Sequence, residues 1–154
     1  MANYFKPVIF KLGSESYGID INLVSSIEKQ VNVVSIPNTL SYIKGIINLR
    51  NEVIPVISLK KKFNMKDADV PGENAIIVKL PNLTIAVEVD SVEEIHNIDE
   101  SEIVDMPTIV KTADLKYFDK VVSVNGKLVV LINVNYLLSE SEQNSVSTLT
   151  ADLN

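Results

Sequence analysis

The chain has 154 residues, 46% of them hydrophobic, which is enough for one compact unit or for two very small units that share a core. It contains no cysteine, and this excludes disulfides, thiolate catalysis and cysteine metal sites. The formal net charge is −6, so a general affinity for nucleic acid or for an anionic membrane is not expected.

The N-terminal residues give no sign of export. Met1–Leu12 lacks the long apolar stretch of a signal peptide, and no window of the sequence approaches a membrane span. We therefore expect a cytoplasmic protein with no direct membrane insertion.

The first predicted element is a β-hairpin. The apolar run Val8–Leu12 ends at Gly13-Ser14, and Ser16–Ile21 then alternates between apolar and polar residues, as a half-buried strand does. Leu23–Ile27 fits either one helical turn or the start of a strand. Val31–Ile36 is a further strand candidate.

The stretch Ile36–Leu59 predicts a second hairpin. Pro37 and Asn38 open it as a turn, and the apolar runs Ile46–Leu49 and Val53–Leu59 are then joined across Arg50-Asn51. Asn51 suits a turn position that needs a positive φ. Because Pro55 lacks a backbone donor, we expect its strand to lie at a sheet edge or to be bulged there.

The second half of the chain repeats this pattern. Ile76–Leu80 matches Val8–Leu12, Thr84–Val89 alternates as Ser16–Ile21 does, and Val92 and Ile95 match Val24 and Ile27, all at the same offset. At a larger offset, Val121–Val124, Asn125-Gly126 and Lys127–Val134 match the central hairpin. Asn-Gly is the strongest short hairpin signal.

Two related halves of about five short strands each favour two small barrels over one large sandwich, because closure removes exposed sheet edges. We expect one domain over residues 1–154, with halves near 8–70 and 71–138 and an exchange of strands between them left open. Lys60–Pro71 is the expected joint between the halves. Asn135–Leu138 should start a short helix, and the polar tail Ser139–Asn154 should fray.

No catalytic motif is found, so we predict a protein that is not an enzyme and has no cofactor. The single histidine, His96, is interpreted as a surface or structural residue. There is no Gly-x-Ser-x-Gly elbow, no glycine-rich phosphate loop and no set of zinc ligands.

The runs of charged residues are interpreted as solvent-exposed surface and not as binding sites. Lys60-Lys61-Lys62 is interpreted as a solvated face, and so is an acidic group that lacks the spacing of a calcium loop. The acidic group comprises Glu88, Asp90, Glu93, Glu94, Asp99, Glu100, Glu102 and Asp105. Tyr17 and Tyr42 stand isolated in the sequence, which disfavours single-strand binding.

Recognition of protein is what remains. A small barrel with an apolar groove suits a helix or strand of a partner, and Arg50 at a hairpin tip either pairs with a carboxylate or is solvated.

The residues Ile43–Arg50, followed by Val53–Leu59, resemble the chemotaxis coupling protein family (CheW-like). Tyr17–Ile21, Val24, Ile27, Ala86–Asp90 and Val92 support the resemblance, which runs from Val8 to about Leu138. It implies an all-β fold with short helices, in which two five-stranded SH3-like barrels share a hydrophobic core.

The resemblance also implies an adaptor function. Family members link the signalling tips of chemoreceptors to the regulatory domain of a CheA-like histidine kinase, so the protein would be recruited to receptor arrays at the inner membrane. The receptor helix lies in the groove between the barrels. The matching receptor-binding residues are Ile27, Asn48, Leu49 and Arg50, and the kinase-binding residues are Lys44, Gly45, Val53, Met106 and Ile109.

The sequence departs from the family pattern at five positions. Asn51 replaces a glycine, and Leu40, Ser58 and Ala86 replace a common proline, aspartate and glycine. Ser26 stands where glutamate is frequent in the family. A serine has no carboxylate, so any acidic contact that the family makes from this position is in doubt here.

Two alternatives stay open. The first is service in a non-flagellar pathway, such as pilus motility or gene regulation, because the partners carry that information. The second, from another class, is a barrel that binds a small ligand, carbohydrate or oligonucleotide, although such a barrel needs aromatic platforms that are few here.

Overall fold

A computed structural model describes residues 4–29, 32–37, 39–66, 71–95, 97–105 and 117–151. The strands are β1 (Tyr4–Phe5), β2 (Pro7–Leu12), β3 (Glu15–Asp20), β4 (Val24–Lys29), β5 (Ile43–Leu49), β6 (Glu52–Ser58), β7 (Asn74–Leu80), β8 (Leu83–Val89), β9 (Ser91–Ile95), β10 (Ile98–Asp99), β11 (Val104–Asp105), β12 (Phe118–Val124) and β13 (Lys127–Ile132). The α-helices are α1 (Leu59–Lys62) and α2 (Glu140–Ala151), and short 3₁₀ helices cover Ile21–Leu23, Glu100–Glu102 and Val134–Tyr136.

The two large sheets each draw strands from both halves of the chain. One sheet has five strands in the order β4-β7-β8-β6-β5, and the other has six in the order β11-β12-β13-β3-β2-β9. The hairpin β2–β3 therefore completes the sheet of the second half, and the hairpin β7–β8 completes the sheet of the first half. Each inserted hairpin meets its sheet at two junctions. One junction is parallel, β3 with β13 and β6 with β8, and the other is antiparallel, β2 with β9 and β7 with β4.

Three apolar clusters explain why the sheets curl. Ile47, Ile54 and Ala86 belong to a cluster on the inner face of the five-stranded sheet. Ile9 and Val129 belong to the corresponding cluster of the six-stranded sheet. The opposite faces of both sheets contribute to one larger cluster, which we call the shared core. The predicted all-β class, with short helices and two small barrels that share a core, is confirmed, with five and six strands in the two sheets.

Turn chemistry fixes the two matching hairpins. Arg50 and Asn51 have φ values of 51° and 67°, and Asn125 and Gly126 have values of 51° and 80°. Two consecutive positive φ values give the turn whose twist matches that of the flanking strands. Both hairpins, and the positive φ of Asn51, are confirmed.

The expected edge position of Pro55 is wrong, because β6 lies between β8 and β5. The irregularity of this pair is in β5, between Ile43 and Gly45. Pro55 faces Ile46, whose N–H and C=O bond instead to Val34 at 2.9 Å each. β5 therefore needs no donor from Pro55, and the parallel pairing with β8 begins only at Val56.

The expected fraying of the C-terminal tail is wrong for Glu140–Ala151, which form α2. A capping box starts this helix: Glu142 N–H donates to Ser139 Oγ at 3.2 Å, and Ser139 N–H donates to Glu142 Oε1 at 3.0 Å. Val146 then packs into the shared core. The predicted helix start at Asn135–Leu138 corresponds to the 3₁₀ turn Val134–Tyr136.

Several charged residues expected on solvated faces form ion pairs. Lys60 is 4% exposed, and its Nζ lies 2.7 Å from Asp90 Oδ1. Asp90 Oδ2 also accepts from the N–H of Gly13 at 2.6 Å. Glu88 is buried and pairs with Lys44. Glu88 and Asp90 therefore hold strands and turns together, whereas Glu93, Glu100, Glu102 and Asp105 of the same acidic group are exposed, as expected.

Tyr17 is not isolated. It stacks on Phe10 and Phe118, with ring centroids 6.0 and 6.3 Å away, at the edge of the shared core. Its hydroxyl donates to Glu15 at 2.6 Å. Burial, together with this carboxylate, raises the pKa of Tyr17 well above its usual value. The ring therefore has a structural role and offers no stacking platform for a base.

Candidate partner-binding surfaces

The two edges of the five-stranded sheet approach each other at one end of the first barrel. Strands β4 and β5 stand at opposite ends of the sheet order, yet Arg50 Nη2 lies 3.5 Å from Glu28 Oε1. Arg50 follows β5 in the hairpin turn, and Glu28 lies in β4. We call this region, comprising Ile27, Glu28, Asn48 and Arg50, the seam.

The seam brings together three of the four residues predicted to bind a receptor. The Arg50 side chain is 72% exposed and Asn48 is exposed. Ile27 is 37% exposed and faces the same side of the sheet as its partner Ile76, which is part of the shared core. Ile27 is therefore an accessible apolar residue at the border of the space between the two barrels.

Leu49, the fourth predicted residue, points the other way. It is half-buried and packs against the cluster inside the first barrel. Alternation along β5 explains this, since Ile47 and Leu49 face inward while Asn48 between them faces outward. Leu49 supports the seam from beneath.

Glu28 is a seam residue that the sequence reasoning missed. Ser26, at the position where glutamate is frequent in the family, pairs with Ile77, and its hydroxyl is buried. Glu28, two residues later, supplies a carboxylate on the same face of β4. The sequence holds little indication that Glu28 contacts Arg50, because only the curvature of the sheet brings these two residues together.

Lys44 and Gly45, two of the residues predicted to bind the kinase, make contacts within the fold. Lys44 pairs with the buried Glu88 of β8. A Cβ on Gly45 would lie 2.1 Å from the carbonyl oxygen of Val34, so this glycine allows the segment around Val34 to pack closely on β5. Val53 is half-buried, and its partner across the hairpin is Asn48.

Met106 and Ile109 lie outside the described residues, as does His96. In the described part of the second barrel, the outer face of β11–β13 carries exposed apolar side chains that the sequence analysis did not select. Val104 is 63% exposed and Leu128 is 71% exposed. Directly paired residues, and residues two apart in a strand, lie on the same face of a sheet. Val121 pairs with Val104, and Ser123, two residues after Val121, pairs with Leu128. Val104, Val121 and Leu128 therefore share one face. We call Val104, Val121 and Leu128 the second-barrel patch.

Metal binding and membrane insertion can be compared with the described part of the chain. Among those residues, no group of three or more His, Cys, Asp or Glu side chains is placed to hold a metal ion. No helix within the described ranges is long and apolar enough to cross a membrane.

Comparisons with known proteins agree with the fold. The CheW-like domain model matches residues 6–142. "Chemotaxis protein CheW" of Bacillus subtilis is 31% identical over 92% of this chain and 92% of its own length, and that of Klebsiella aerogenes is 31% identical over 88% and 82%. The crystal structure of scaffolding protein TtCheW from Thermoanaerobacter tengcongensis superposes with a TM-score of 0.81 and 32% identity, covering 92% of each chain. The chain therefore belongs to the CheW-like family.

Proposed function

We propose that this protein is a non-enzymatic adaptor of bacterial chemotaxis. It couples the signalling tips of chemoreceptors to the regulatory domain of a CheA-like histidine kinase. The observation that carries the proposal is the presence of two separate surfaces, the seam and the second-barrel patch, on barrels joined by one continuous core. Membership of the CheW-like family supports it.

The seam suits a receptor helix. It offers one apolar side chain, Ile27, beside one exposed cation, Arg50, and one exposed amide, Asn48. An amphipathic helix presents apolar and acidic side chains at the spacing such a mixed surface needs. Arg50 is suited to a carboxylate, because its planar guanidinium donates several hydrogen bonds at once.

The second-barrel patch suits the kinase domain. Exposed apolar side chains grouped on one sheet face are typical of protein interfaces. The segment that contains Met106 and Ile109 adjoins this patch in sequence, and we assign both residues to the same surface. Val53 on the first barrel is assigned to a second kinase contact, with Lys44 and Gly45 supporting it from within the fold.

The shared core connects the two surfaces, and this connection allows the adaptor to transmit a signal from one partner to the other. The shared core couples the two barrels mechanically, so a partner bound at one barrel can influence the surface of the other. The protein would act in the cytoplasm and reach receptor arrays at the inner membrane through its partners. The pathway served, flagellar or other, depends on which receptors carry a complementary helix.

The test uses two variants measured against both partners. Arg50→Glu removes the seam cation and places a second carboxylate beside Glu28, so we expect about tenfold weaker binding of a receptor hairpin fragment in fluorescence anisotropy. Leu128→Asp should instead weaken co-sedimentation with the kinase regulatory domain. Each variant should leave binding of the other partner unchanged.

Lys127→Glu is the matched charge control, because Lys127 is exposed and follows the turn of the equivalent hairpin of the second barrel. It should bind the receptor fragment as the wild type does. Equal receptor binding by Arg50→Glu and wild type would refute the placement of the receptor site. Unchanged kinase pelleting by Leu128→Asp would refute the second surface.

A further inference from the structure

The C-terminal helix α2 docks on the rest of the protein through a buried apolar side chain and an ion pair. Of its described side chains, Val146 is the one that is buried. Glu142 Oε2 accepts from Lys62 Nζ at 3.4 Å, and Lys62 also lies 4.1 Å above the ring of Tyr42. The remainder of the helix is rich in Ser, Thr, Asn and Gln, so its own propensity does little to hold it in place.

This helix lies against the outer face of β6. It contacts β6, and Val146 joins the shared core, which contains Ile57 of that strand. Alternation along β6 places Val53 on the same face as Ile57, and Val53 pairs with Asn48. The face of the β5–β6 hairpin that carries Asn48, a seam residue, is thus the face on which α2 packs.

We propose that α2 is a displaceable cover of the outer face of β6, which a receptor helix bound at the exposed seam must push aside to extend along β6. This inference rests on the proposed function, since it describes the regulation of the same receptor site. The cover and the receptor helix compete for one surface, so the affinity for receptor depends on how firmly α2 is docked.

The polar contacts of α2 do not involve the buried side chains of the shared core. The capping box lies within the helix and its preceding residue, and the ion pair to Lys62 reaches a side chain that Tyr42 also supports. The Lys62 side chain is 15% exposed, and this burial lowers the pKa of its ammonium group. Release of α2 would return water to this ammonium group.

The first test weakens the docking. Glu142→Lys removes the partner of Lys62 and half of the capping box, whereas Glu140→Lys makes the same charge change at an exposed position two residues earlier. If the cover is open in a tenth to a third of wild-type molecules, full release raises receptor affinity about three- to tenfold. We expect this gain for Glu142→Lys and wild-type affinity for Glu140→Lys.

The second test strengthens the docking. Asn144→Ala raises helix propensity at an exposed position, so it should reduce receptor affinity while kinase binding stays the same. Hydrogen exchange of the α2 amides in the full-length wild type should accelerate when the receptor fragment binds, because the helix is displaced.

The outcomes separate this inference from the proposed function. A wild-type protein that fails to bind the receptor fragment overturns the proposed function. If the wild type binds, equal affinity in Glu142→Lys and wild type, or α2 amides that stay fully protected in the complex, overturns the cover alone.

Discussion

Gly45→Ala should destabilise the protein strongly, because it acts where the Val34 segment touches β5. The added Cβ would lie 2.1 Å from Val34 O and 2.7 Å from Val34 C, both backbone atoms that cannot rotate away. Ordinary contact needs at least about 3.4 Å, so the segment must move by more than about 1 Å, which breaks the two hydrogen bonds that join Val34 to Ile46.

The magnitude follows from those contacts. Two backbone hydrogen bonds at about 1 kcal/mol each, together with residual overlap, give a loss of about 2–4 kcal/mol. For a chain of this length, that loss corresponds to a melting temperature lower by about 5–15 °C. Urea denaturation measures the loss directly, as a lower midpoint with an unchanged slope.

Gly126→Ala is the matched control. Gly126 has a φ of 80° and nothing lies within 4 Å of an added Cβ, so its substitution costs only the left-handed conformation, about 1–2 kcal/mol. If Gly45→Ala were no more destabilising than Gly126→Ala, close packing of the Val34 segment would not be what Gly45 provides, and the reasoning would be wrong.

Three further changes should have measurable effects. Lys44→Met should lower the unfolding free energy by about 1–3 kcal/mol because it leaves the buried Glu88 carboxylate without its ammonium partner, and the added change Glu88→Leu should recover most of the loss in the same urea experiment. The raised pKa of Tyr17 means that the unfolded chain releases this proton first, so wild-type stability should fall as pH rises above about 10, whereas Tyr17→Phe should remove that component of the fall. Ser139→Ala should reduce the helical circular dichroism signal and cost about 1 kcal/mol, because it removes the cap of α2.

Local signals explain how much of the fold was predictable. Arg50-Asn51 and Asn125-Gly126 specify their hairpins through backbone conformation that neighbouring residues cannot alter. The match between the two halves then led to two small barrels. The exchange of hairpins was left open, since the pairing of β3 with β13 joins residues far apart in the chain.

Long-range ion pairs were not predictable in the same way. Lys60 and Asp90, or Lys44 and Glu88, read as surface charges until the fold brings them together. For the same reason Glu28 was missed at the seam, although Ile27 beside it was chosen. The α2 helix is a different case, because Ser139-x-x-Glu142 is a capping signal that the sequence already displays.

The hairpin exchange has a consequence for synthesis on the ribosome. β3 cannot acquire its parallel neighbour until residues 129–131 have been translated, so the outer edge of β3 stays unpaired while most of the chain emerges. A nascent polypeptide that ends before residue 129 therefore holds a complete hairpin without the barrel it belongs to. Stalled or truncated products of this gene should be substrates for chaperones and proteases and should not accumulate as half-sized adaptors.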